Sequence, residues 1–335
     1  MDVTELRYEL PSDAIAQRPV EPRDAARLLV AVGDNAIHAT VADLPAYLRP
    51  GDVLVVNDTR VIPARLRLHK RSGGSVEVML LAPEDDSQRT WDALVRPGRR
   101  VPSGTELVDD DGALAVVVGE RTGAEGRRQV ELVADDAPSE LLARLGVLPL
   151  PPYIHEELAD PDRYQTVFAH VPGSVAAPTA GLHLTSELLD RCRAAGAGVE
   201  TVTLDVGLGT FQPITSERIE DHQMHVERYR VPEATLDACA RAERVVAIGT
   251  TSLRALESAA ATGQTEGSTG LFIHGDYDFR VVDVLLTNFH LPGSSLLALL
   301  GAFAGPRWRD LYATALESGY RFLSFGDAML IDRRR

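Results

Sequence analysis

Lysine is nearly absent from this chain: Lys70 is the only one among its 34 basic residues. A GxxxxGK phosphate loop is therefore excluded, and a Schiff-base mechanism would depend on one amine set among arginines. Cysteine is scarce too. Cys192 and Cys239 are far apart and have no CxxC partner, so free thiols are expected rather than a disulfide or a thiolate metal site. No apolar run approaches the length of a membrane span; the run at 296–300 is typical. The first residues, MDVTELRYEL, lack the basic-then-apolar layout of a signal peptide. With 335 residues, 44% of them hydrophobic, the chain can bury a large core, and a cytoplasmic enzyme is the expectation.

The net charge of −15 argues against a protein that coats nucleic acid nonspecifically. The charge is uneven, however. Residues 60–102 carry nine basic side chains against five acidic ones, including Arg60, Arg96, Arg99 and Arg100. A phosphate-tracking patch and a merely solvated strand face both fit that excess.

Two kinds of pattern alternate along the chain. From residue 61 to about 149, six short alternating segments (ARLRLHK, SVEVMLL, TWDALV, TELV, ALAVVV and RQVELV) are separated by Gly, Pro, Asp and Ser clusters. Such spacing predicts a small antiparallel β-barrel or sandwich. Residues 1–60 end in the buried-strand run DVLVVN, and from 150 to 335 strands alternate with helices. Helices are expected in TSELLDRCRAAGAG, with Thr185 as N-cap, in PEATLDACARAER, in TTSLRALESAAATG and in SSLLALLGAFA. Strands are expected in VETVTLDVG, VVAIG and LFI. The fold class is thus α/β, a discontinuous main domain (1–60 and 150–335) interrupted by a β-barrel (61–149).

Candidate chemistry collects in the main domain. GSVAAPTAGLH (173–183) offers little side chain and much backbone, which suits either a connector or a ligand-hugging loop with Ser174, Ala177, Thr179 and His183 as contacts. Gly249, Thr250 and Thr251 stand where a strand feeds a helix, the edge at which α/β sheets bind ligands. Arg254 and Glu257, one turn apart, are expected to pair on the surface. GLGTFQP holds a GxG without the third glycine of a dinucleotide fingerprint, and a tight ligand-contacting turn is the better reading. His222 and His225 have His-x-x-His spacing without further ligands, so no metal is expected, and His225 with Glu227 is a candidate proton-handling pair. Asn288 and His290 follow an apolar strand and precede a Gly/Ser helix start.

Taken in order, YELPSDAIAQRPVEPRDAARLLV, GDVLVVNDTRVIPARL, LPLPPYI, RYQTVFAHVPGSVAAPTAGLHLTSELL, IEDHQMHVE, IGTTSLRALES, VVDVLLTNFHLP and SFGDAMLI resemble the QueA family of S-adenosylmethionine:tRNA ribosyltransferase-isomerases across residues 6–331. The resemblance implies an α/β domain with an inserted β-barrel. It implies transfer of the ribosyl part of S-adenosylmethionine to 7-aminomethyl-7-deazaguanine at the wobble position of tRNA with a GUN anticodon. Adenine and methionine leave, and epoxyqueuosine forms. No cofactor is implied beyond S-adenosylmethionine as donor substrate, and the chain is expected to act as a monomer away from membranes. On this reading His183, His225, Glu227 and His290 are the candidate catalytic groups, expected to titrate near neutral pH or to orient those that do. Ser174, Ala177, Thr179, Thr250, Thr251 and Asn288 are candidates for holding the donor, and Asp58, Arg60, Arg96, Arg99 and Arg100 for holding the acceptor or its phosphates. The chain departs from the family pattern at Leu184, Asp205, Val226, Gly293, Ser294, Ser295, Leu323 and Phe325. Those departures leave two alternatives, a paralogue with another acceptor and a catalytically silent RNA-binding descendant.

Overall fold

The computed structural model describes residues 2–33, 35–85, 87–123, 126–133, 137–207 and 213–334. Two compact units emerge, Met1–Arg60 with Pro151–Arg335, and Val61–Leu150.

The first unit is built on a sheet of nine described strands. They run in the order Glu266–Thr269, Glu227–Arg230, Gly198–Leu204, Asp52–Asn57, Arg244–Ile248, Val284–Asn288, Ala328–Asp332, Arg27–Ala31 and Ile37–Thr40. The four strands from Gly198–Leu204 to Val284–Asn288 are mutually parallel. Ala328–Asp332 is antiparallel to Val284–Asn288 and parallel to Arg27–Ala31. Every residue of Asp52–Asn57 is buried, as the unbroken apolar run in DVLVVN requires of an interior parallel strand covered on both faces. One core cluster contains Val55, Ala247, Leu285 and Phe303, and another contains Leu54, Ile248, Leu286 and Leu188, so successive residues of each strand feed different layers.

Helices Ser186–Ala194, Glu233–Arg241, Thr250–Thr262 and Ser295–Ala304 form where the apolar periodicity predicts them. Thr185 accepts from Leu188 N at 3.0 Å, and Ser294 from Leu297 N at 3.2 Å, so each N-cap occupies an orphan amide of the first turn. The LFI segment is not a strand. Thr269 Oγ1 accepts from Leu271 N at 3.1 Å, and Leu271 O accepts from Arg254 Nε at 3.3 Å. With side chains holding those backbone groups, the edge pairing falls to Glu266–Thr269 instead. Helix Trp308–Glu317 and strand Ala328–Asp332 complete the unit.

In the second unit the six predicted segments pair as antiparallel strands. Arg65–Lys70, Ser75–Pro83, Thr90–Arg96, Arg127–Leu132, Leu114–Arg121 and Glu106–Val108 follow one another, and pairing of the last with the first closes a barrel. Inward Leu66, Leu68, Val76, Trp91 and Val118 are buried while their neighbours are more exposed, the period-two pattern of a half-buried sheet. Helix Pro138–Leu145 and the short strand Gly146–Val147 were not legible from periodicity.

Candidate active site

Strands Arg244–Ile248 and Val284–Asn288 are neighbours, with Ile248 opposite Leu286, so their carboxyl ends open at the same edge. Beyond the first, Gly249 turns at φ 89°, a conformation costly for any side-chain-bearing residue, and releases the chain into helix Thr250–Thr262. Beyond the second come Phe289 and His290, then the Ser294-capped helix. The short helical turn Thr179–His183 completes the edge. Two adjoining hollows of about 30 Å³ each, open to solvent, result. Ala177, Thr250 and Thr251 line the first, Tyr153, Ser294 and Ser324 the second, and Thr179, Asn288 and His290 line both.

The polar groups at this edge are linked. Asn288 Nδ2 lies 3.1 Å from His183 Nε2 and donates to Asp327 O at 3.4 Å, while its Oδ1 accepts from Thr179 Oγ1 at 3.0 Å. An amide nitrogen facing Nε2 makes that ring atom the acceptor and places the imidazole proton on Nδ1. His183 is therefore behind Asn288 and orients it. Burial, reinforced by Arg321, Arg163 and Arg23, pushes the His183 imidazole down to about 4. The ring is thus held neutral by burial first and by the nearby arginines second. His290 Nε2 is 2.9 Å from Thr287 Oγ1, and burial pushes it down to about 3. Its backbone is clamped on both sides, His290 N donating to Tyr312 Oη at 2.9 Å and His290 O accepting from the Tyr8 hydroxyl. Desolvation penalises the imidazolium in both, so of the two expected roles, titrating near neutral pH or orienting a neighbour, the geometry of His183 fits the second.

Other candidates lie elsewhere. Ser174 is fully buried and its hydroxyl accepts from Val206 N at 2.7 Å and pairs with Thr59 Oγ1 at 2.8 Å, so it braces the loop rather than facing a hollow. Asp58 accepts from Thr203 Oγ1 at 2.7 Å, and Arg60 is exposed. His225 is exposed, whereas Glu227 is buried, accepting from Arg254 Nη1 and from Gly207 N at 2.9 Å; the pair read from their spacing is replaced by an ion pair with Arg254. Arg254 and Glu257 do not form a surface pair either. Both are buried, and Glu257 accepts from the amides of Arg280, Val281 and Val282 at 2.9, 3.0 and 3.1 Å. The turn expected in GLGTFQP falls largely on residues 208–212, outside the described residues.

On the barrel, Arg96, Arg99 and Arg100 are exposed, the last two on the turn Gly98–Arg100. Buried Arg128 donates through Nη2 to Gly98 O at 3.2 Å and Val101 O at 2.8 Å, and Lys70 Nζ donates to Arg100 O. The turn's carbonyls are thus held from within while its guanidinium groups face solvent. Arg67 stands opposite Glu77, which stands opposite Arg96, so opposite charges alternate across three strands.

Most departures from the family pattern miss the hollows. Leu184 is in the core, Asp205 pairs with Arg228 at 3.3 Å, Val226 is 70% exposed and Phe325 packs edge-on against Tyr164. Gly293 takes φ 65°, which a glycine adopts freely. Only Leu323 and Ser294 among them line a hollow. Thr287, Tyr8 and Tyr312 were missed in the sequence. Thr287 had a signal, three residues before His290 at a strand end; Tyr8, 282 residues from its partner, had none.

A largely apolar cleft with a few convergent hydroxyl, amide and imidazole groups, at the carboxyl ends of parallel strands on an α/β body whose chain is interrupted by a β-barrel, is the arrangement of a small-molecule-binding α/β protein. The family model described as queuosine biosynthesis protein matches residues 3–331. Two curated relatives, from Moorella thermoacetica and Rubrobacter xylanophilus, are each 51% identical over 99% of this chain and 100% and 98% of their own, and both are named S-adenosylmethionine:tRNA ribosyltransferase-isomerase. The crystal structure of S-adenosylmethionine tRNA ribosyltransferase from Thermotoga maritima is similar with 37% identity and a TM-score of 0.55, covering 98% of this chain and 99% of that one. The chain belongs to the queuosine biosynthesis protein family and is an enzyme of the transferase-isomerase class for which these relatives are named. Among the described residues no helix is long and apolar enough to cross a membrane.

Proposed function

We propose that this enzyme takes S-adenosylmethionine as ribosyl donor and transfers the ribosyl group to 7-aminomethyl-7-deazaguanine at the wobble position of a tRNA with a GUN anticodon. Adenine and methionine leave, and the ribose rearranges to the epoxycyclopentanediol of epoxyqueuosine. The observation that carries this reading is the placement of Asn288, locked between His183 and Thr179 and presented to both hollows together with His290. Thr179, Thr250, Thr251 and Asn288 supply the donors and acceptors that ribose hydroxyls and adenine require. Asn288 is aimed before substrate arrives, so no reorganisation is needed at the moment of reaction.

The reaction also needs a group to remove a proton next to the sulfonium. His290 is the imidazole that lines the hollows, and its ring stays neutral with Thr287 fixing its orientation. Arg96, Arg99 and Arg100 on the barrel contribute affinity for tRNA phosphates, a role that suits guanidinium groups on a braced turn. Away from a membrane, and with no cofactor beyond the donor, the enzyme acts in the cytoplasm as a monomer.

The test is incubation with S-adenosylmethionine and tRNA bearing the aminomethyl-deazaguanine, with adenine quantified and the modified nucleoside weighed. The reading requires one adenine and one methionine per nucleoside converted. Adenine release without tRNA modification, or no release, overturns it.

A further inference from the structure

Arg254 is a buried cation whose bonding is incomplete. The residue is 4% exposed, one terminal nitrogen serves Glu227, and Nε donates to Leu271 O at 3.3 Å, but Nη2 is buried with no hydrogen-bond partner among the described residues. Thr251 Oγ1, three residues earlier on the same helix, is buried and unpartnered too. A buried donor left unpaired is destabilising, more so when charged, and in a native structure such a group calls for an explanation.

Position indicates what completes these. Helical side chains lean toward the helix N-terminus, so a long side chain at 254 covers the turn that carries Thr250 and Thr251, which line the first hollow. Its partner Glu227 holds Gly207 N, and the preceding residue, Val206, lines the same hollow. The guanidinium is thus placed next to the turn that carries Thr251, with Nη2 unused among the described residues. Nη2 can donate to one oxygen of a carboxylate in a charge-assisted hydrogen bond, and the Thr251 hydroxyl can add a second donor.

We infer that Arg254, with Thr251, binds the carboxylate of the amino-acid arm of the donor, and that Glu227 serves as the positioning counter-ion of Arg254 rather than as a proton carrier. This rests on S-adenosylmethionine being the donor. The carboxylate is that molecule's one anion, and the Glu227 side chain beside the guanidinium suits the neighbouring ammonium. No bond changes in this step.

The experiment compares binding of S-adenosylmethionine with its decarboxylated analogue by calorimetry, using the full chain. The wild type should prefer the carboxylated donor roughly 10- to 100-fold, the range for hydrogen bonds to a charged group. In the charge-balanced double variant Arg254→Gln/Glu227→Gln that preference should fall to near unity, with affinity for the decarboxylated analogue changed only a few-fold. Arg254→Lys, which keeps the charge but changes the donor geometry, should show a reduced preference and serves if the double variant does not fold. Equal affinity of the wild type for both compounds overturns the inference while leaving the donor reading intact, as does an undiminished preference in the variants. Binding of neither compound overturns the donor reading and this inference with it.

Discussion

Lowering the pH from 7.5 to 5 should destabilise the first unit steeply, through histidines that are buried neutral. His183 and His290 are pushed down to about 4 and about 3 from an ordinary value of 6.5. The sign follows from linkage: between the folded and unfolded values the unfolded chain binds more protons, so stability rises with pH, is complete above about 6.5 and is lost as pH falls below it. At pH 5 the unfolded imidazole is almost fully protonated and the folded one largely neutral, so each histidine removes about 2 kcal/mol, about 4 kcal/mol together. His222, half-buried beside His225, shifts the same way and adds to the loss. Asp205, whose carboxyl burial pushes up, works the other way and offsets part of the loss. Trp91 is in the barrel and Trp308 in the first unit, so a Trp91→Phe chain reports the first unit by fluorescence during urea unfolding. His290→Gln should reduce the pH-dependent loss by about 2 kcal/mol. A urea midpoint that stays constant from pH 7.5 to 5, or a His290→Gln chain with the full pH dependence, would refute the reasoning.

Asn288→Ala removes three hydrogen bonds and strands His183 Nε2 and the Thr179 hydroxyl, so it should cost about 2–4 kcal/mol in urea unfolding and lower kcat by roughly 100-fold or more. Ala177→Leu pushes a larger side chain into the first hollow and should raise KM for S-adenosylmethionine while KM for tRNA holds. Arg99→Glu with Arg100→Glu should raise KM for tRNA, and each lost phosphate contact should flatten the log–log salt dependence by about 0.7–0.9; an unchanged slope would mark the turn as a solvated face.

Hydrophobic pattern made the α/β body and the barrel legible, since DVLVVN is the unbroken run of a strand buried on both faces and the six barrel segments alternate as half-buried strands do. It failed where side chains take over backbone bonding, as Thr269 and Arg254 do around Leu271. Composition drew attention to Thr179, Asn288 and His290 because Gly- and Ser-rich breaks after apolar strands are where ligand edges form. It misread Arg254 and Glu257 because helical spacing shows which residues share a face and not whether that face is buried. It gave His225 and Glu227 a common role on proximity in sequence, although Glu227 turns inward to Arg254 and His225 is exposed. Tyr8 could not be found, since its hold on His290 depends on contacts across most of the chain.

The central claim is that the donor occupies the paired hollows at the ends of strands Arg244–Ile248 and Val284–Asn288. A crystal structure of this chain with S-adenosylmethionine tests it directly. The account predicts ribosyl and adenine density in contact with Thr179, Asn288 and His290, with Ala177 and Thr251 against the ligand. Density for the bound donor away from that edge, with those five residues untouched, would contradict it.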